Sequence, residues 1–235
     1  FFMTFAISPE VFRLLPDACF GVVAVQGVDN HTADPRIEAL LTQATAQCQA
    51  ALEGVKLKES PEILPYRETF RQLDINPNKY PCSIEALLTR IAKGKGMPSI
   101  NPLVDLGNSV SLLHRLPIGA HDMATFHGAL EVRPAAEGDR FIPFGGGEAE
   151  LPDPGEIVYA SGQEVRTRRW TWRQSEVGKI TGETSGVLYP IDGFLSVNRE
   201  EVLAARDQLA ELAASLPGAH ISVGFIHREQ PSFDW

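Results

Sequence analysis

Apolar residues fall along this chain in two rhythms, and the change from one to the other divides it. In the first half they recur every three or four positions. Ile37, Leu40, Leu41, Ala44, Cys48 and Leu52 mark one helical face, and Leu103, Leu106, Val110 and Leu113 mark another. Between them, residues 62–73 predict a shorter helix that stops before the turn-forming Asn76-Pro77-Asn78. Ser83 is the expected N-cap of a third helix, with Ile84, Leu87, Leu88 and Ile91 inward and Lys93-Gly94-Lys95-Gly96 ending it. The helix carrying Leu103 is expected from Asn101 or Pro102 to about His114. Ahead of all of these, the run 19–28 predicts a buried strand between Pro16 and Asp29-Asn30.

From about Gly128 to Phe194 the rhythm shortens. Alternating segments are broken by glycine, proline and acidic turns, as in a meandering sheet. Residues 145–155 predict an exposed hairpin loop. Asn198 with Glu201 predicts a capping pair for a last helix through Val202, Ala205, Leu209, Leu212 and Leu216. Pro217-Gly218 ends that helix, and residues 219–226 return as a strand. The expectation is one α+β domain over residues 3–235, helices first and sheet second, closed by a helix and a strand. Phe1 and Phe2 precede Met3 and read as an added remnant outside that domain.

With 43% hydrophobic and 22% charged residues over 235 positions, the chain can bury a sizeable core. No stretch approaches the roughly 20 apolar residues of a membrane span, and no secretory signal follows Met3. The expectation is therefore a cytoplasmic protein with no membrane partner. Cys19, Cys48 and Cys82 are too few and too widely spaced for a disulfide framework or a zinc motif. The histidines match no metal-ligand spacing either, so neither a metal nor another cofactor is expected. Cys82 stands just before a helix start, where a thiol pKa is lowered, but no histidine partner accompanies it.

Net charge is −9, which argues against indiscriminate nucleic-acid binding. The segment 166–179 departs from that balance, with five basic residues (Arg166, Arg168, Arg169, Arg173, Lys179) and one acidic residue, Glu176. On a strand, Arg168, Trp170, Trp172 and Gln174 would share one face, with Arg169, Thr171, Arg173 and Ser175 on the other. Two readings stand. Indoles beside guanidinium groups can stack a base and hold a phosphate. Alternatively the strand is half-buried, its indoles in the core and its arginines paired with surface carboxylates.

A second constellation is Asp105, Asn108, His121 and Asp122. Asp105 and Asn108 are neighbours on one helix face, and Gly119-Ala120 permits a tight turn before His121-Asp122. Histidine oriented by a carboxylate is a general base near neutral pH; a helix-ending turn with its own local hydrogen bonds is the plainer reading. Gly145-Gly146-Gly147 opens no helix and lacks the lysine of a phosphate-binding loop, and no nucleophile elbow occurs.

Several phrases, in order, carry a resemblance. They are Tyr66-Arg67-Glu68-Thr69-Phe70, then Ser99-Ile100-Asn101-Pro102-Leu103-Val104-Asp105-Leu106-Gly107-Asn108, then Leu116-Pro117-Ile118-Gly119-Ala120-His121-Asp122. Glu131-Val132-Arg133 and, later, Thr184 with Val187-Leu188 follow. Over residues 60 to 195 this order resembles the tRNA-editing domain of the phenylalanyl-tRNA synthetase beta subunit. The segment around Trp170-Thr171-Trp172-Arg173-Gln174-Ser175-Glu176 is similar to that of stand-alone bacterial proteins carrying the domain.

The resemblance implies a layered β/β/α sandwich with its pocket between sheet and helices. It also implies hydrolysis of the ester on a mischarged tRNA, acting in trans, through a positioned water and the tRNA's own terminal hydroxyl. Its partners would be the tRNA acceptor end and the aminoacyl group. His121 and Glu176 are then the catalytic candidates, and Asp105, Asn108, Gly119, Asp122 and Thr184 the substrate-binding ones. Arg168, Trp170, Trp172 and Arg173 are the RNA-binding ones. Two departures imply a remodelled pocket: Gly119 stands where the family has histidine, with His121 in place of its phenylalanine, and Pro190 stands where the family has glutamate. A non-catalytic module binding tRNA or an amino-acid derivative is a rival reading. So is an enzyme on a small aminoacyl or peptide-like substrate without RNA.

Overall fold

The computed structural model describes residues 2–235. Two sheets pack face to face, and helices cover the outer face of the second. The first sheet has the order β10-β1-β4-β5-β6-β7. Its strands are β1 (Thr4–Ile7), β4 (Leu130–Pro134), β5 (Ile157–Ser161), β6 (Glu164–Arg168), β7 (Arg173–Gln174) and β10 (Ser232–Asp234). The second has the order β3-β8-β2-β9, from β3 (His121–Asp122), β8 (Val187–Phe194), β2 (Ala18–Gln26) and β9 (His220–Ile226). The helices are α1 (Pro9–Leu14), α2 (Pro35–Ala51), α3 (Leu64–Gln72), α4 (Ser83–Ala92), α5 (Pro102–His114) and α6 (Arg199–Ala214). The helices lie mainly in the N-terminal half and the sheet mainly in the C-terminal half, in the layered β/β/α arrangement that the resemblance implies.

Strand β2 explains the layering. It is apolar at nearly every position because both of its faces are covered. Phe20, Val22 and Ala24 point between the sheets with Phe5, Val132, Tyr159 and Leu188. Cys19, Val23 and Val25 point the other way, against Leu106 and Val110 of α5 and Val202 and Leu209 of α6. At roughly 1.5–3 kcal/mol per fully buried large apolar side chain, this double-sided strand anchors both cores.

Helix starts follow the local capping rules at α5 and depart from them at α4 and α6. Asn101 caps α5 by accepting from the Val104 amide at 3.0 Å. Asp105, one turn in, accepts from the Ser99 hydroxyl (2.5 Å) and the Ile100 amide (2.8 Å). Two expected caps are corrected. Cys82, not Ser83, occupies the cap position of α4, because the Ser83 amide already donates to the Thr171 carbonyl. Asn198 stands at the cap of α6 but turns its amide elsewhere, accepting from the Phe194 amide (2.7 Å) and donating to the Tyr66 hydroxyl (3.1 Å). Its expected partner Glu201 instead binds His114 Nδ1 at 2.6 Å. Strands β1 and β10 and helix α1 carried no signal in the alternation of apolar residues.

Candidate functional site

The basic segment is not one strand. Strand β6 ends at Arg168 and β7 begins at Arg173, and the turn between them places Arg169 and Trp170 at φ 47° and 58°. Left-handed backbone at a tryptophan is strained, at about 1–3 kcal/mol, and persists only where surroundings over-determine it. Here they do. The Arg169 amide donates to Glu156 and the Trp170 amide to the Ile157 carbonyl. The Trp170 indole Nε1 donates to Asp192 Oδ1 at 3.0 Å. The alternation expected for residues 166–175 therefore fails at its middle.

That turn also removes most of the charge that stood out in sequence. Arg168 is buried and forks onto Glu156 (2.8 and 3.1 Å), with Glu150 at 3.2 Å. Burial would raise the Glu156 pKa, but Arg168 and two backbone amides hold it below the usual carboxylate range. Arg169 lies 3.7 Å over the Tyr80 ring and pairs with Asp153. Arg166 is fully buried against Thr125 and Glu164. Lys179 pairs with Glu176. Arg173 is exposed, 5.9 Å from the Trp172 ring centroid, and has no ion pair among the described residues. Trp170 is fully buried among Tyr66, Phe70 and Phe194, so it supports the core and offers no face for a base.

Between the open edges of the two sheets lies a narrow cavity of about 60 Å³. The β6–β7 turn supplies Trp170, Thr171 and Trp172 to it, and β7 supplies Arg173 and Gln174. Tyr159 of β5, in the same sheet, also lines it, and Gly119, His121 and Asp192 line it from the side of the second sheet. Five of the residues singled out from sequence thus meet in one place: Gly119, His121, Trp170, Trp172 and Arg173.

His121 is 1% exposed, and its ring stacks on Tyr159 with centroids 5.6 Å apart. Its Nδ1 is buried without a hydrogen-bond partner. Burial, and then the Arg166 guanidinium, push its pKa down to about 3, so the imidazole is neutral at any ordinary pH. Gly119 keeps this ring reachable: a Cβ there would lie 3.1 Å from His121 Nε2 and 3.4 Å from the Pro190 ring.

Asp192 and Tyr159 were not among the residues singled out from sequence. The Tyr159 hydroxyl donates to Asp192 Oδ1 at 2.6 Å, and burial pushes the Asp192 carboxyl up to about 7 against its two hydrogen bonds. The available signal was a lone carboxylate inside the apolar run of β8.

The remaining expected residues lie elsewhere. Asp122 and Thr184 meet each other, the Thr184 hydroxyl donating to Asp122 Oδ2 at 2.8 Å, while Asp122 Oδ1 accepts from the Ala124 amide. Both oxygens are thus engaged in holding the turn after β3. Asp105 is likewise spent at the start of α5 and borders a different pocket, with Asn30 and Asp34. Asn108 is half-buried on α5 and lines none of the cavity. Glu176 also stands outside the lining, its oxygens taken by Lys179 and the Gly145 amide, which hold its pKa down. Cys82 is buried, and burial pushes its thiol up to about 12, opposite to the lowering expected at a helix start. No helix of the described residues is long and apolar enough to cross a membrane. No cluster of three or more His, Cys, Asp or Glu side chains suited to a metal occurs among them.

Comparison with known proteins agrees with this architecture. The family model of the B3/4 domain matches residues 65–218. Phenylalanine–tRNA ligase beta subunits of Vibrio vulnificus and Vibrio parahaemolyticus are 34% identical over 93 residues. That stretch is 40% of this chain and 11% of each relative. Among solved structures, an N-terminal fragment of the phenylalanyl-tRNA synthetase beta subunit from Pyrococcus horikoshii superposes with a TM-score of 0.50 at 12% identity. The superposition covers 99% of this chain and 53% of that one, and it speaks to the fold.

Proposed function

This chain belongs to the B3/4 domain family, and on that premise we propose that it hydrolyses the ester of a mischarged aminoacyl-tRNA in trans. The observation that carries the reading is the cavity between the sheets, where a neutral, partly unpartnered His121 and the Asp192 carboxylate stand under a rim formed by Trp172 and Arg173. The aminoacyl end of the tRNA enters there. Trp172, half-buried with the Arg169 guanidinium 4.7 Å from its ring centroid, meets the terminal base with what remains open of its indole, and Arg173 meets a backbone phosphate.

The chemistry follows from the state of His121. An imidazole with a pKa near 3 is a weak base, so it accepts a hydrogen bond from water and orients it rather than removing its proton. Water adds to the ester carbonyl, the carbon–oxygen bond to the ribose breaks, and the water's proton passes to the leaving oxygen by way of the tRNA's neighbouring hydroxyl. No side-chain nucleophile is used, in keeping with three buried cysteines, two of which burial has pushed up to about 12.

The test is a panel of aminoacyl-tRNAs incubated with the purified chain and with His121→Phe. Accelerated deacylation of at least one, lost in the variant while it remains folded at the assay temperature, is the expected result. No acceleration across the whole panel ends the proposal. The narrowness of the cavity also favours a second reading, an esterase for small aminoacyl substrates without RNA. Equal rates on an aminoacyl-tRNA and on the matching methyl ester would select it.

A further inference from the structure

Buried carboxylates in this protein are satisfied in one of two ways, and Asp192 in neither. Glu85 is paired with Arg67 at 2.6 Å, Asp139 with Arg133 at 2.7 Å, and Glu156 with Arg168 at 2.8 Å. Asp105 and Asp122 have no cation but receive donors on both oxygens. Asp192 is 3% exposed, and the two hydrogen bonds that reach it, from Tyr159 and Trp170, are from neutral groups and both end on Oδ1. An ionised carboxylate is costly to bury without a cation. Its side chain borders the cavity, so a cation can arrive from there.

Asp192 Oδ2 receives no hydrogen bond, and Asp192 lines the cavity. Thr171 and His121 line the same space, with Thr171 Oγ1 and His121 Nδ1 buried behind its surface. An ammonium carries three N–H donors and no acceptor, which complements a carboxylate oxygen that has no donor. The space is also small: about 60 Å³ here, against the roughly 150 Å³ of a cavity known to hold benzene.

We propose that Asp192 is the counter-ion for the α-ammonium of the aminoacyl group, in a pocket that admits side chains of alanine or serine size and excludes aromatic ones. The inference deepens the deacylase reading and takes the identity of its ligand from it. An arriving ammonium restores the carboxylate's charge, which burial has made hard to hold near neutrality.

The experiment has two arms. In the first, deacylation is measured on alanyl-, seryl-, phenylalanyl- and tyrosyl-tRNA and on N-acetyl-alanyl-tRNA, with the parent chain and with Asp192→Asn. Asparagine keeps an Oδ1 for Tyr159 and Trp170, while it removes the charge and turns the other oxygen into an N–H donor. The expected result is a preference for the small residues, at least tenfold slower hydrolysis of the acetylated ester, and a ratio of free to acetylated rates that falls toward one in Asp192→Asn. In the second arm, binding of 3′-alanylamino-3′-deoxyadenosine and its N-acetyl form is measured by calorimetry on both proteins. Hydrolysis indifferent to acetylation overturns the inference and leaves the deacylase reading standing, and faster hydrolysis of the aromatic esters overturns its size limit. If no ester is hydrolysed but the free amine binds at least tenfold tighter than its acetylated form and only to the parent, the deacylase reading falls and the subsite stands. If no ester is hydrolysed, absence of amine-dependent binding in the second arm overturns the subsite.

Discussion

Tyr159 on the first sheet donates its hydroxyl to Asp192 Oδ1 on the second, at 2.6 Å. This bond crosses between the sheets at the floor of the cavity. Around it, the Tyr66 hydroxyl donates to the Asp192 carbonyl at 2.6 Å and the Trp170 indole to the carboxylate. Three aromatic residues from three parts of the chain thus converge on one aspartate, which fixes where the sheets meet.

The first prediction concerns pH and follows from opposite shifts in one cavity. Asp192 has its folded pKa raised from 3.8 to about 7, so its contribution to stability is full below about pH 4 and lost as pH rises through 7. His121 has its folded pKa lowered from 6.5 to about 3, so its contribution is full above 6.5 and lost as pH falls through 3. Each is on the order of 4–5 kcal/mol at most, and between about pH 4 and 6.5 they oppose. Relative to the parent, Asp192→Asn should lose stability as pH falls below 6.5, and His121→Phe should lose it as pH rises above 4. Denaturant midpoints from pH 4 to 8 check this; a variant that tracks the parent across the window would contradict its half.

Two arginines five residues apart should behave oppositely. Arg168→Ala strands the nearly buried Glu156 and should cost roughly 3–5 kcal/mol of stability. Arg173→Ala should leave the melting temperature within about 1 °C and, if the rim meets tRNA, weaken tRNA binding and lower its salt slope by about one. Melting and filter-binding at two salt concentrations read both. Unchanged affinity and slope in Arg173→Ala would remove that residue from the RNA contact.

Gly119→Ala places a methyl group 3.1 Å from His121 Nε2. Its cost should fall on activity, with deacylation reduced at least tenfold and stability lowered by only about 1 kcal/mol. Kinetics and melting of one purified variant suffice. Full activity would show that His121 is not approached from the Gly119 side.

Cys82 should be inert to thiol reagents in the native protein and react only on unfolding, because burial raises its pKa and shields its sulfur. Cys82→Ser should retain deacylation within a few-fold. Rapid native-state labelling of Cys82 with a disulfide reagent, followed by mass spectrometry, would show the opposite.

Period and punctuation were enough to place the main helices and strand β2, because local propensity, capping and two-sided burial leave their mark on neighbouring residues. Asn101 and Pro102 announce α5, and the unbroken apolar run of β2 announces a strand covered on both faces. Order of phrases carried the family resemblance for the same reason: it is a property of the chain read in line. The site is a different kind of object. His121, Tyr159, Trp170 and Asp192 come from four segments, and nothing local says that they meet. Only the packing of one sheet on the other decided that Arg168 would be spent on Glu156 and that Trp170 would turn inward at a strained backbone position. The same packing left Asp192, one polar residue in an apolar strand, with a buried carboxyl and no cation. A sequence sets which groups are available. Which are left unsatisfied is decided by the tertiary fold, because burial and partners are fixed together only when distant segments close on one another.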